Sequence, residues 1–169
     1  MELKGRALAA LAALTVASVA AVAYVILTGV PGGDGSYNEP YPVVLWDDFD
    51  LAGYSGRVIL VDVGATWCGP CAIEIEELKT VRDEFSQNEL AIISIFYDSR
   101  DNPHIVAEYA GKRGITWDVV YGIGGFEVFP VQLYPTLFIL DKNLKLAFHH
   151  VGVASSHDTI KDVRSLLEQ

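Results

Sequence analysis

Apolar and polar positions along this chain switch between two periods, and the switches mark out its elements. Val58-Ile59-Leu60-Val61-Asp62-Val63 is an almost unbroken β-branched run, the pattern of a strand covered on both faces. Just after it, Ile75, Leu78, Val81 and Phe85 recur at steps of three or four, which predicts a helix over residues 69–86. Residues 90–97 predict the next buried strand. Asn102-Pro103 then offers a cap and a first-turn proline for a second helix, ended by Gly111 or Gly114. Residues 117–121 predict a short strand, 125–133 a short helix or turn, and 136–140 another strand. Asp141-Lys142-Asn143 turns the chain into residues 145–151, and residues 157–168 form a closing amphipathic helix. The order fits an α/β domain with a central mixed sheet flanked by helices.

Residues 7–30 follow neither period. They are 24 consecutive residues without a charge, and as a helix they would reach roughly 36 Å, enough for a bilayer core of about 30 Å. Ala21-Val22-Ala23 has the small-residue pattern of a cleaved signal, but the apolar run continues past it through Tyr24-Val25-Ile26-Leu27. Residues 1–30 are therefore expected to be an uncleaved transmembrane anchor. Lys4 and Arg6 precede the span and no Lys or Arg follows until Arg57, so the N-terminus should be cytoplasmic. That makes a single-pass protein of the cell membrane, with residues 43–169 as an extracytoplasmic domain. The Gly- and Pro-rich residues 31–42 read as a flexible linker.

Beyond residue 30 the chain carries ten basic residues (12 less Lys4 and Arg6) and 21 acidic ones (22 less Glu2), a formal charge of −11. That balance excludes a nucleic-acid-binding face. The two cysteines, Cys68 and Cys71, are too close in sequence to staple distant parts of a domain. Zinc would need about four ligands and no second Cys-x-x-Cys exists; haem attachment would need His where Ala72 stands. No metal or organic cofactor is expected, which leaves redox chemistry.

Cys68 falls where a buried strand gives way to a helix, so unpaired N–H groups and the positive dipole end favour its thiolate. Cys68 is the expected nucleophile. Cys71, about one turn on, can attack a mixed disulfide on Cys68 and release the substrate. Gly69 and Pro70 form the first turn, where the missing proline N–H costs nothing. Trp67 should shield the pair. Asp62 is an acid inside a buried run, which needs either a task or a partner: a proton acceptor for Cys71, or an ion pair with a basic residue. Glu74, three residues after Cys71, is either a second proton carrier or a first-turn acid on a charged face with Glu76 and Glu77.

Val61-Asp62, then Ala65-Thr66-Trp67-Cys68-Gly69-Pro70-Cys71, and later Tyr134-Pro135-Thr136 leading into a strand, together resemble the thioredoxin superfamily. The resemblance implies that Pro135 is a cis proline facing the active site and that Tyr134 offers its backbone to an extended substrate segment. Asp62 matches the superfamily's buried acid. The stretch between Cys71 and Pro135 is longer than in thioredoxin and should hold an added helix and strand near residues 103–121. With the N-terminal anchor and Cys-x-x-Cys-x-x-Glu ending at Glu74, the chain is similar to the TlpA/ResA/CcmG group. That likeness implies an extracytoplasmic reductant of protein disulfides, serving cytochrome c maturation, with exported protein thiols as substrates and an upstream membrane electron donor. Two positions depart from the group: Val63-Gly64 stands where an aromatic pair is usual, and Glu76 replaces a proline. A disulfide-introducing oxidant on the same fold is one alternative. A Sco-like copper-delivery protein, with His149 or His150 joining the cysteines, is another.

Overall fold

The computed structural model describes residues 41–169. In chain order these form β1 (Val44–Leu45), two 3-10 turns (Trp46–Asp48 and Leu51–Tyr54), β2 (Val58–Gly64), α1 (Gly69–Glu84), β3 (Leu90–Phe96), α2 (Pro103–Arg113), β4 (Asp118–Tyr121), α3 (Gly124–Val128), β5 (Thr136–Leu140), β6 (Leu146–Val151) and α4 (Ser156–Leu167). The expected span over residues 7–30 and nearly all of the linker lie outside the described residues. Among the described residues, no helix is long and apolar enough to cross a membrane.

The six strands make one mixed sheet in the order β1-β4-β3-β2-β5-β6. β1, β4, β3 and β2 are parallel; β5 and β6 each run antiparallel to the strand before them in that order. β2 and β3 sit at the centre and are buried at every position, which explains their unbroken apolar runs. Alternate residues feed two cores. Leu60, Ile92 and Leu137 pack with Ile75 and Leu78 of α1, Val106 of α2 and Val163 of α4 on one face. Ile59, Val61, Ile93 and Phe138 pack with Phe129 and the 3-10 segments, through Trp46 and Leu51, on the other. Each such side chain, fully buried, stabilises the fold by roughly 1.5–3 kcal/mol in transfer free energy.

Differences from the predicted elements have local causes. α1 ends at Glu84 because Phe85 turns extended and Arg82 donates to the carbonyls of Phe85 and Leu90. Of the two candidate glycines, Gly114 ends α2, at φ +62°, where a left-handed residue satisfies the last carbonyls. α3 is only five residues long, since Pro130 follows its cap at Phe129. β1 and the two 3-10 turns had no periodic signal. The added helix and strand are present as α2 and β4, and β4 pairs between β3 and β1.

Candidate active site

β2 stops at Gly64, and the loop of Ala65, Thr66 and Trp67 delivers Cys68 to the N-cap of α1. Cys68 N–H donates to the Ala65 carbonyl at 3.1 Å. Cys71 N–H, one of the orphan donors of the first turn, donates to Cys68 Sγ at 3.2 Å. The two cysteines are joined as a disulfide with Cα atoms 5.3 Å apart, and they are 6% and 3% exposed. Pro70 stands in the first turn as expected. Cys71 lies against β2 at Gly64, where a Cβ would be in ordinary contact with Cys71 Cβ and Sγ, each at 3.5 Å.

Two buried carboxyls lie on the inner side of this pair. Asp62 is 2% exposed, and its Oδ2 accepts from Ser94 Oγ at 2.9 Å. Among the described residues no basic residue pairs with it, which goes against the ion-pair alternative. Burial pushes its pKa up to about 7, against a smaller lowering by the Ser94 hydroxyl. Glu74 is fully buried while Glu76 is exposed, which removes the charged-face alternative. Its Oε2 accepts from Ala154 N–H at 2.8 Å, tying α1 to the chain entering α4. Burial, and then the neighbouring Asp62 charge, push Glu74 up to about 8. Asp62 Oδ1 and Glu74 Oε1 are both buried without a hydrogen-bond partner among the described residues.

On the outer side, Trp67, Cys68, Gly69 and Pro70 face residues 131–134 across a groove of about 460 Å³. Trp67 stands beside Cys68 in the wall of this groove. It is 48% exposed and meets the Tyr134 ring edge-on with centroids 6.1 Å apart. Tyr134, together with Ala65, packs on the cysteines. The Arg100 guanidinium lies 3.4 Å from the Trp67 ring centroid and is held there by Asp98, at 2.9 Å from Nε. That contact with Arg100 drives the Asp98 carboxyl down to about 2. The Tyr134–Pro135 peptide is cis, as the resemblance implies. The Pro135 carbonyl accepts from Gly152 N–H at 2.9 Å, so it is engaged within the domain.

Several residues at the site carried no sequence-level assignment. Asp101 is buried and accepts from Thr66 N–H at 3.2 Å and Thr66 Oγ1 at 2.5 Å, which fixes the loop before Cys68. Nothing in its local pattern announces that. Ser94 did leave a signal, as the one polar residue in the β3 run, and it pairs in register with Asp62. The histidines proposed for copper are engaged elsewhere. His150 Nε2 lies 2.9 Å from Asp162, and His149 stacks on Phe138 with centroids 5.0 Å apart.

A mixed sheet with a dithiol pair capping the first helix after a central strand, and a cis proline leading into the next antiparallel strand, defines a thioredoxin-like fold. Solved structures share it. A thiol:disulfide interchange protein of the thioredoxin family from Chlorobium tepidum matches with a TM-score of 0.62 at 25% identity, covering 70% of this chain and 86% of that one. A DsbF homologue from Corynebacterium diphtheriae matches at 0.63 and 22% identity, over 70% and 77%. The chain belongs to the Redoxin family, whose model matches residues 46–167. Among its relatives are the thioredoxin-like protein YneN of Bacillus subtilis, 26% identical over 64% of each chain. The thiol:disulfide interchange protein DsbE of Vibrio cholerae is 26% identical over 72% of this chain and 64% of its own. The thiol-disulfide oxidoreductase ResA of Geobacillus thermodenitrificans is 23% identical over 69% and 67%. The chain thus spans a little under two thirds of YneN and DsbE.

Proposed function

We propose that this protein is a thiol-disulfide oxidoreductase that reduces protein disulfides outside the cytoplasm. The observation that carries it is a buried Cys68–Cys71 pair at the N-terminus of a helix, beside an open groove and against two buried carboxyls. The names of YneN, DsbE and ResA support the same chemistry. In the forward step the Cys68 thiolate attacks one sulfur of a substrate disulfide, and the other substrate sulfur leaves as a thiolate. Cys71 then attacks Cys68 Sγ as its proton passes to Asp62. The Cys68–Cys71 disulfide forms, the second substrate sulfur departs, and two electrons have moved to the substrate. Glu74, with its pKa raised beside Asp62, is a second group able to hold a proton near neutral pH.

The uncharged run over residues 7–30 supports attachment to the cell membrane by one N-terminal helix, with the domain outside. In that setting reduction needs electrons relayed across the membrane by an upstream donor. The likeness to DsbE and ResA, with the Cys-x-x-Cys-x-x-Glu spacing, supports exported protein thiols, those of cytochrome c maturation included, as substrates.

The equilibrium reduction potential of the Cys68/Cys71 couple tests the direction. A value near the roughly −270 mV of thioredoxin is expected; one near about −120 mV would make the protein an oxidant. Replacing the nucleophile, Cys68→Ser, should abolish turnover, whereas Cys71→Ser should accumulate mixed disulfides seen by mass spectrometry. Full activity in either variant contradicts the assignment.

A further inference from the structure

Asp62 is held by a chain of hydrogen bonds that runs in one direction. Trp117, the residue before β4, donates from Nε1 to Ser94 Oγ at 3.0 Å, and Ser94 donates onward to Asp62 Oδ2 at 2.9 Å. Trp117, Ser94 and Asp62 are 6%, 0% and 2% exposed, so no solvent competes along the chain. An indole N–H donates and never accepts, while a hydroxyl has a single proton to give. With Trp117 occupying a lone pair of Ser94, the hydroxyl proton is aimed at the carboxylate instead of rotating freely. Oδ2 is thereby kept as an acceptor. Oδ1, buried and without a partner among the described residues, is the oxygen left to take a proton.

The groups that face Asp62 from the covering helices are Cys71 and Glu74 of α1 and Tyr109 of α2. Cys71 packs at Gly64, two residues along the same face of β2. The Asp62 charge acts on both Glu74 and Tyr109. All three are acids, which repel the Asp62 charge when ionised, and none of them makes a hydrogen bond to Asp62 among the described residues. Ser94 is the donor that does.

We propose that Ser94 and Trp117 are positioning residues for dithiol exchange: they hold Asp62 with Oδ1 as its proton-exchanging oxygen and so set the pH range in which it takes the proton of Cys71. This rests on the proposed role of Asp62 as proton acceptor. The proton leaves Cys71 Sγ for Oδ1 as Sγ bonds to Cys68 Sγ and the substrate sulfur departs with the electron pair, and it returns from Oδ1 when the pair is reduced again.

Two readouts on the full-length protein test it. The first is the titration of the Asp62 carboxyl by ¹³C NMR in the disulfide form, where neither thiol is present; its signal is identified by its loss in Asp62→Asn. The second is the pH profile of protein-disulfide reduction. Ser94→Ala should raise the Asp62 midpoint by about one pH unit, the size of a charge-assisted hydrogen bond, and shift the rate profile the same way. Ser94→Thr, which keeps the hydroxyl, should restore both. Trp117→Phe should give a smaller upward shift alone and none in the Ser94→Ala background, because it acts only through Ser94. A structural role would lower stability or overall rate without moving either midpoint. An unmoved midpoint in Ser94→Ala, an undiminished Trp117→Phe shift in that background, or a shifted titration with an unshifted rate profile would each overturn the inference. Absence of reductase activity in the unaltered protein would instead sink the proposed function, and the carboxyl titration would still decide whether the chain governs Asp62.

Discussion

Behind Cys71 the interior holds Asp62 and Glu74, 2% and 0% exposed, whereas in front of Cys68 the groove is walled by Trp67 and Leu133, 48% and 59% exposed. One disulfide therefore separates two media. On the inner side, desolvation brings two carboxyls into the range where they exchange protons near neutrality. On the outer side, exposed aromatic and aliphatic surface offers contact area to a polypeptide. The contrast teaches that proton handling and recognition are built from different elements, the first by β2, β3 and α1, the second by the loops around Trp67 and Tyr134. Changes on one side should leave the other's observable alone.

The largest test of that separation is Asp62→Asn. Loss of a positioned general base should slow the Cys71 step by about 10²-fold at pH 7, measured by quenched-flow trapping of the mixed disulfide. Apparent affinity for the substrate should not change. The same variant should also move stability. Burial pushes the Asp62 carboxyl up to about 7 from an ordinary 3.8, so between those values the folded state keeps a proton that the unfolded state has released. Its contribution to stability is whole below about pH 4, is lost as pH rises toward 7, and is flat above. Glu74, raised from 4.5 to about 8, has the same sign. Asp62→Asn should therefore be more stable than the unaltered protein at pH 8, by on the order of 3 kcal/mol. Urea melts at pH 4 and pH 8 check it, and equal stability at pH 8 would mean that Asp62 carries no such penalty.

A smaller effect is expected on the outer side. Trp67→Ala removes a groove wall beside the nucleophile, and exposed aromatics at the centre of a contact carry much of its energy. About a tenfold fall in kcat/KM toward a protein disulfide should follow, carried mainly by KM. Toward a small-molecule disulfide the change should be slight, and the Asp62 midpoint should stay where it is. A moved midpoint would show that the two sides are coupled.

Most of the inner architecture was legible in the sequence because burial on both faces leaves a continuous apolar run, against which one acid stands out. Asp62 stands out that way, the paired cysteines stand out by their spacing at a strand-to-helix junction, and the order of strands and helices follows from the same periodicity. Ser94 carried an equal signal within the next run, but its meaning depends on the parallel register that sets it opposite Asp62. Pattern alone does not give register between strands separated by a helix. The outer side was harder to read. The place of Trp67 next to Cys68 does not give its orientation, which is set by Arg100 and Asp98 from the loop after β3. Those contacts join residues about thirty positions apart with no periodic trace. Glu74 was ambiguous for a related reason: a glutamate in a run with Glu76 and Glu77 looks solvated until the backbone of Ala154 is brought over it.

The smallest expected effect lies in that outer pairing. Arg100 is exposed and stacks on Trp67 while it pairs with Asp98, so the stack orders the groove wall and does little for the fold. Arg100→Ala should loosen the Trp67 ring, which keeps its contact with Asp98, and lower kcat/KM toward a protein disulfide by about two- to threefold, in the same KM-dominated way as Trp67→Ala. In the Trp67→Ala background it should add nothing, because its only route to the substrate is through that ring. A further loss there would mean that the guanidinium touches the substrate directly. That outcome would give the outer side a charged contact, and in a domain of net negative charge it would favour substrates carrying a carboxylate near their cysteine.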